Sequence, residues 1–157
     1  MFARIAAVAL VAAAAPAHAA FDPVEFFRGR TQGEGTLKII FQSAKTIKVD
    51  SLGYADKDGS LVIKQDIRES TKPVRTRYWR LKQIAPGRFA GTLTDAASPV
   101  RIEQTGNSVR IRYKAKDNLD FDLTLTPSGP KTVRNRMRIK RFGVTVARVE
   151  EIIRKLD

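Results

Sequence analysis

Residues able to do chemistry are scarce in this 157-residue chain: it has no Cys and a single His, His18. Without thiols there can be no disulfide, thiolate metal site, cysteine nucleophile or lipid-modified cysteine. His18 falls within an N-terminal segment that reads as a removable address, described below. With it go Ser-His-Asp catalysis, histidine-ligated metals and a histidine pH switch. Chemistry would then rest on paired carboxylates, a Lys or a Tyr. Asp120 and Asp122 form a close acidic pair on one strand face, but they look outward at arginines. An acid/base pair needs an enclosed site in which one carboxyl stays neutral. Gly29, Gly33 and Gly35 have neither the preceding strand nor the following GK[ST] of a phosphate-binding loop. The chain is expected to be no enzyme and to need no metal or cofactor.

What remains are polar side chains forced onto apolar strand faces. Apolar residues of one parity define the inner face of a strand, so polar residues of that parity must point inward too. Gln65 is in step with Leu61, Ile63 and Ile67, and Arg75 and Arg77 with Trp79 and Leu81. Asp95 continues Phe89 and Leu93, Tyr113 follows Val109 and Ile111, and Asn135 sits between Val133 and Met137. Buried polar groups need hydrogen bonds, and a buried guanidinium needs a partner. Two readings fit. In the first, Gln65, Arg77, Tyr113 and Asn135 line a ligand cavity beside Trp79, and Arg77 receives an anionic head group. In the second, Arg77 pairs with Asp95 near a rim and the others satisfy each other. A void of about 300 Å3 or more would mark the binder, and a solid core an accessory protein. A hydrolase would need two neighbouring inward carboxylates, which parity does not provide.

The elements that must position these residues are strands. Leu37/Ile39/Phe41, Ile47/Val49, Leu61/Ile63/Ile67, Trp79/Leu81 and Phe89/Leu93 each alternate with polar residues. Val100/Ile102, Val109/Ile111/Tyr113, Leu119 to Leu125, Val133/Met137/Ile139 and Val144/Val146 continue the pattern. Turn signals such as Asp58-Gly59, Pro86-Gly87, Gly106-Asn107 and Pro127 to Pro130 separate them. The result is about ten short strands joined by hairpins, an all-β antiparallel meander expected to close into a barrel. If the Pro127–Pro130 turn keeps parity, Asp122 faces Arg136 and Asp120 faces Arg138. Asp22-Pro23-Val24-Glu25 carries the cap, first-turn Pro and capping-box acid of a short helix whose Phe26 and Phe27 would plug one end. Residues 147–156 are ambiguous: Val149, Ile152, Ile153 and Leu156 fit a helical stripe, and a last strand is the alternative.

Met1 to Ala19 reads as a cleavable signal: Arg4, an apolar run from Ile5 to Ala15, Pro16, then Ala17-His18-Ala19. The run is too short to span about 30 Å of hydrocarbon. Residues 20–157 then form one domain, expected in the periplasm as a monomer. The whole chain carries +13, and losing the leader removes only Arg4. Such a charge attracts anionic phospholipid or polysaccharide, or merely solubilises. Export and the lack of aromatics interleaved with the basic residues argue against nucleic acid. A membrane-spanning barrel is rejected because Arg134, Arg136, Arg138 and Lys140 share a strand face opposite Val133, Met137 and Ile139. Either charges would meet lipid, at about 2–4 kcal/mol each, or the apolar set would line water.

The landmarks Phe26-Phe27-Arg28-Gly29, Gly33-Glu34-Gly35, Arg77-Tyr78-Trp79, Gly91 to Asp95, and Asn135-Arg136-Met137 through Phe142-Gly143-Val144 resemble an exported lipocalin-like family of Gram-negative bacteria. That family is known only as a domain of unknown function. The resemblance implies a lipocalin-like barrel in the envelope, with no known activity or ligand. The family has an acidic residue at the position of Gln65, and an aspartate pair followed by Trp near Phe121-Asp122. Neither is intact here, so chemistry resting on those residues is not carried over. The expected function is to bind an apolar or amphiphilic envelope molecule, such as a lipid, through Gln65, Arg77, Trp79, Tyr113 and Asn135. The alternative is an accessory protein with a packed barrel whose basic surface docks on anionic lipid or polysaccharide.

Overall fold

Alternation of apolar and polar residues becomes a run of strands in the computed structural model, which describes residues 20–157. The expected signal segment, 1–19, lies outside the described residues. Helix α1 (Pro23–Phe27) leads into β1 (Gly29–Ile39), β2 (Lys45–Ala55), β3 (Leu61–Glu69), β4 (Arg75–Ala85) and β5 (Arg88–Leu93). Then follow β6 (Val100–Thr105), β7 (Ser108–Lys114), β8 (Asp120–Gly129), β9 (Thr132–Arg141) and β10 (Val144–Lys155). Each strand pairs antiparallel with the next, and β10 pairs with β1 to close the barrel. The interior is mostly apolar, with a polar sector described below, while the outer face of β9 carries Arg134, Arg136 and Arg138.

The ambiguous last stretch is extended. As a strand it buries Ala147, Val149, Glu151 and Ile153, whereas Leu156 is exposed. Closure decides the matter: β1 from Thr31 to Ile39 faces β10 from Lys155 to Ala147, and β9 lies on the other side of β10. A helix here would leave two sheet edges unpaired. A bulge between Thr145 and Ala147 changes the register, so Val144, placed inward by the sequence pattern, is exposed.

Two other expectations are corrected. β1 starts at Gly29 and ends at Ile39, so Phe41 stands in a turn, fully exposed, instead of continuing the inner face. The β8–β9 turn also falls later than Pro127–Pro130. The strand runs on through Pro127 and Ser128 with a bulge before Gly129, and the chain reverses at Pro130-Lys131. Asp120 therefore faces Lys140, and Asp122 faces Arg138. Asp122 accepts hydrogen bonds from Arg110 at 2.9 and 2.8 Å and from Arg138 at 3.2 Å. Arg136 faces Glu150 instead.

Helix α1 crosses one end of the barrel as a plug. The Asp22 carboxylate accepts from the Val24 and Glu25 amides at 2.8 and 3.2 Å, the N-cap role. Glu25 does not complete a capping box; it pairs with Arg28 at 3.1 Å. Phe26 is buried edge-on to Phe21 and Phe27. The helix end rests on Gly53 of β2, where a Cβ would lie 1.7 Å from the Phe27 carbonyl oxygen. Lys155 Nζ, from the end of β10, donates to the carbonyls of Glu25, Phe26 and Arg28. These are the acceptors a short helix leaves unsatisfied.

Candidate functional site

Inside the barrel, four neighbouring strands bring polar side chains directly opposite one another: Thr31 of β1, Ser51 of β2, Gln65 of β3 and Arg77 of β4. Gln65 is the hub. Its Oε1 accepts from Arg77 Nε at 2.9 Å and from Trp79 Nε1 at 2.6 Å, and its Nε2 donates to Ser51 Oγ at 3.2 Å. The Arg77 guanidinium also lies over the Trp79 ring, 5.2 Å from its centroid. Such a contact strengthens when water is excluded, and both residues are buried.

The expected Arg77–Asp95 pair is marginal, at 3.9 Å. Asp95 sits in closer contact with Arg75, which is half exposed. Arg77 is thus held by an amide and an indole, and its charge is not quenched by a close carboxylate.

A second polar group lies on β9 and β10. Asn135 Nδ2 donates to Glu151 Oε2 at 2.9 Å, and Glu151 is only 7% exposed. Burial pushes the Glu151 carboxyl above its ordinary range, with the Asn135 hydrogen bond and the Arg77 charge acting against the rise. Gly33 of β1 makes the space: a Cβ there would lie 1.8 Å from Glu151 Oε1. Tyr113 packs edge-on against Trp79 (5.8 Å between centroids) and stacks on Phe121 (4.8 Å). Its hydroxyl is likewise pushed up by burial, opposed by the nearby Arg77.

Between these groups is a cavity of about 230 Å3. Gln65, Arg77, Trp79 and Asn135 line it, as the strand parity requires, together with Ser51 and Glu151. Tyr113 does not; it buttresses Trp79 from behind. Leu61, Ile63, Phe89, Ile111 and Leu125 supply the apolar wall, and Pro23, Val24 and Phe27 close the helix end. Among the described residues, three deeply buried polar side-chain atoms have no hydrogen-bond partner: Thr31 Oγ1, Tyr113 Oη and Asn135 Oδ1. Folded proteins leave few such groups unsatisfied, because each costs free energy when withheld from water.

Sequence parity missed Glu151, which the helical reading of residues 147–156 turned away from the interior. Read as a strand, Val149, Glu151 and Ile153 share one face, and that signal would have found it. Glu69 also edges the cavity, so two carboxylates line it where parity promised no pair. Glu69, however, is engaged by Lys45 at 3.3 Å and Lys72 at 3.6 Å at the end remote from α1. Among the described residues no cluster of three acidic, His or Cys side chains could hold a metal ion.

A closed antiparallel meander with a helix across one end and a lined interior defines a lipocalin-like barrel. The chain belongs to the family described as protein of unknown function (DUF3833), which it matches over residues 5–155. No curated protein matches it in sequence. Among solved structures it is similar to the S-type phycobiliprotein lyase CPES from Guillardia theta, at 9% identity and a TM-score of 0.62, covering 83% of this chain and 87% of that one. A structure of EF1p2_mFAP2b bound to DFHBI matches less well, at 10% identity and a TM-score of 0.45, over 84% of this chain and 95% of that one. At such identities the likeness to the lyase speaks for the fold alone.

Proposed function

We propose that the barrel binds one small apolar or amphiphilic molecule of the bacterial envelope, without catalysis, after export through the segment 1–19. The observation that carries this reading is the cavity itself. One wall is hydrocarbon, and the other presents an incompletely neutralised guanidinium, a buried carboxyl and the Asn135 side chain. Ligand sites combine these features: an apolar body contact and a few convergent polar groups that fix the head. A head group accepting from Arg77 would complete the pairing of its guanidinium.

The volume of about 230 Å3 sits below the range of about 300–1,000 Å3 typical of drug-sized ligands. The ligand is accordingly slender or short. The shortfall also favours the second reading, an accessory protein with a largely packed barrel, and one measurement separates the two. Native mass spectrometry of protein purified from the cells that make it should show a bound small molecule. Titrating the apo protein with the extracted compound should then shift Trp79 emission, because Trp79 lines the cavity. Protein that is ligand-free in native spectra and unresponsive to envelope lipid extracts would overturn the binding reading. The non-catalytic reading rests on the separate engagement of the two cavity carboxylates, Glu69 by lysines and Glu151 by Asn135. Turnover of the co-purified molecule would refute it.

A further inference from the structure

The end of the barrel opposite α1 carries an apolar patch that the cavity does not use. There the β1–β2 and β9–β10 turns lie side by side: Ile39 faces Ala147, and the Ile40 amide donates to the Val146 carbonyl at 3.0 Å. The two tips present Phe41, 102% exposed, and Phe142, 84% exposed, with Ile40 and Val144 exposed beside them. Both phenylalanines occupy left-handed backbone, φ 59° and 50°, where bulky side chains are rare. Solitary exposed apolar residues are ordinary, but four on adjoining tips make a patch of the kind that marks an interaction surface.

Cations surround it. Lys38 faces Arg148, and Arg148 faces Arg138, on three adjacent strands. Like charges set opposite each other destabilise a sheet, and of the three only Arg138 has a carboxylate, Asp122, among the described residues. Lys38 and Arg141 donate to the backbone carbonyls of Gln42 and Asp117. Lys140 faces Asp120, but that carboxylate pairs with Lys114 at 3.1 Å.

We propose that this end docks on an anionic lipid bilayer. Phe41 and Phe142 enter the boundary between head groups and acyl chains, while Lys38, Lys140, Arg141 and Arg148 engage lipid phosphates. The spacing suits such a layer. Lys140 and Arg141 adjoin Phe142, and the Lys38 ammonium reaches the other tip, donating to the carbonyl of Gln42 beside Phe41. A second copy of the chain is disfavoured as occupant, because a two-fold contact would bring two cationic rims together. The inference goes beyond the cavity reading and holds whether or not the cavity is occupied. It turns the barrel end edged by Glu69 and Arg75 toward the membrane.

The test is co-sedimentation of protein purified from its native cells with vesicles of phosphatidylglycerol and phosphatidylcholine, against phosphatidylcholine alone. Binding to the anionic vesicles is expected, with a loss of about tenfold or more in the F41S/F142S double variant. K140E/R141E should weaken it comparably, and high salt should mimic that variant. Any contribution of residues 1–19 is shared by all the proteins compared. An unchanged melting temperature is expected for F41S/F142S, since both side chains are exposed. Equal vesicle binding by wild type and F41S/F142S would overturn the proposal, as would binding insensitive to lipid charge. So would a wild-type dimer, seen by light scattering, that F41S/F142S dissolves without any vesicle binding.

Discussion

Across β5 to β8 the inner wall of the barrel is made of residues such as Phe89, Val100, Ile102, Val109 and Leu123, all buried and all hydrocarbon. From β9 round through β10 and β1 to β4, the same wall carries Asn135, Glu151, Thr31, Ser51, Gln65 and Arg77. The first arc is cohesive by area alone, at about 25 cal/mol per Å2 removed from water. The second depends on directional bonds between neighbours and leaves two buried polar atoms, Thr31 Oγ1 and Asn135 Oδ1, unanswered, against one on the first, Tyr113 Oη. A wall optimised only for stability would resemble the first arc throughout. The cost accepted in the second is what points to a ligand.

The largest break in this contrast is a charge on the apolar arc. Val109 is fully buried, and Val109→Asp is expected to cost about 4 kcal/mol or more, or to abolish folding. Urea denaturation followed by circular dichroism would show it. A middle-sized effect is expected for Gln65→Leu, which strips the acceptor shared by Arg77 Nε and Trp79 Nε1. About 1–3 kcal/mol should be lost, with an altered Trp79 emission as the local signature. A Gln65→Leu protein as stable as wild type would show that the polar arc is not structurally coupled.

The smallest and most specific effect concerns Glu151, whose carboxyl titrates higher in the folded chain than its ordinary 4.5. A raised folded-state value means that the protonated group stabilises the fold. That contribution is complete below pH 4.5 and is lost as pH climbs through the raised value. Glu151→Gln should therefore match wild type in relative stability at low pH and surpass it near neutrality, by about 1.4 kcal/mol for each unit of the rise. Melting temperatures measured from pH 4 to 8 would reveal this divergence. Parallel curves for the two proteins would mean that Glu151 is not perturbed.

Much of this was legible in residue patterns. Period-two alternation gave the ten strands, and the turn chemistry gave the meander. The matched parity of Gln65, Arg77, Trp79 and Asn135 with their apolar neighbours placed four of the five expected site residues on the cavity. The misses have physical causes. Bulges at Thr145/Ala147 and Pro127/Gly129 shift register locally, and no propensity marks them. Glu151 was hidden because its segment satisfies a helical and an extended period equally well, and the unpaired edges of β1 and β9 break that tie. Thr31 preceded the residues read as strand, since Gly33 and Gly35 weaken the β signal where the barrel needs space for Glu151 and for the close approach of β10.

The pairing of Thr31 with Lys155 has a kinetic corollary. The seam joins β1 to β10, so the barrel cannot close until the twelve residues of β10 are available, and the nascent polypeptide keeps two raw edges until then. Nine of the ten strand pairings join chain neighbours, so this one seam bears the long loop-closure cost of folding. Release of a chain lacking its tail would yield an aggregation-prone fragment instead of a smaller, stable version of the molecule.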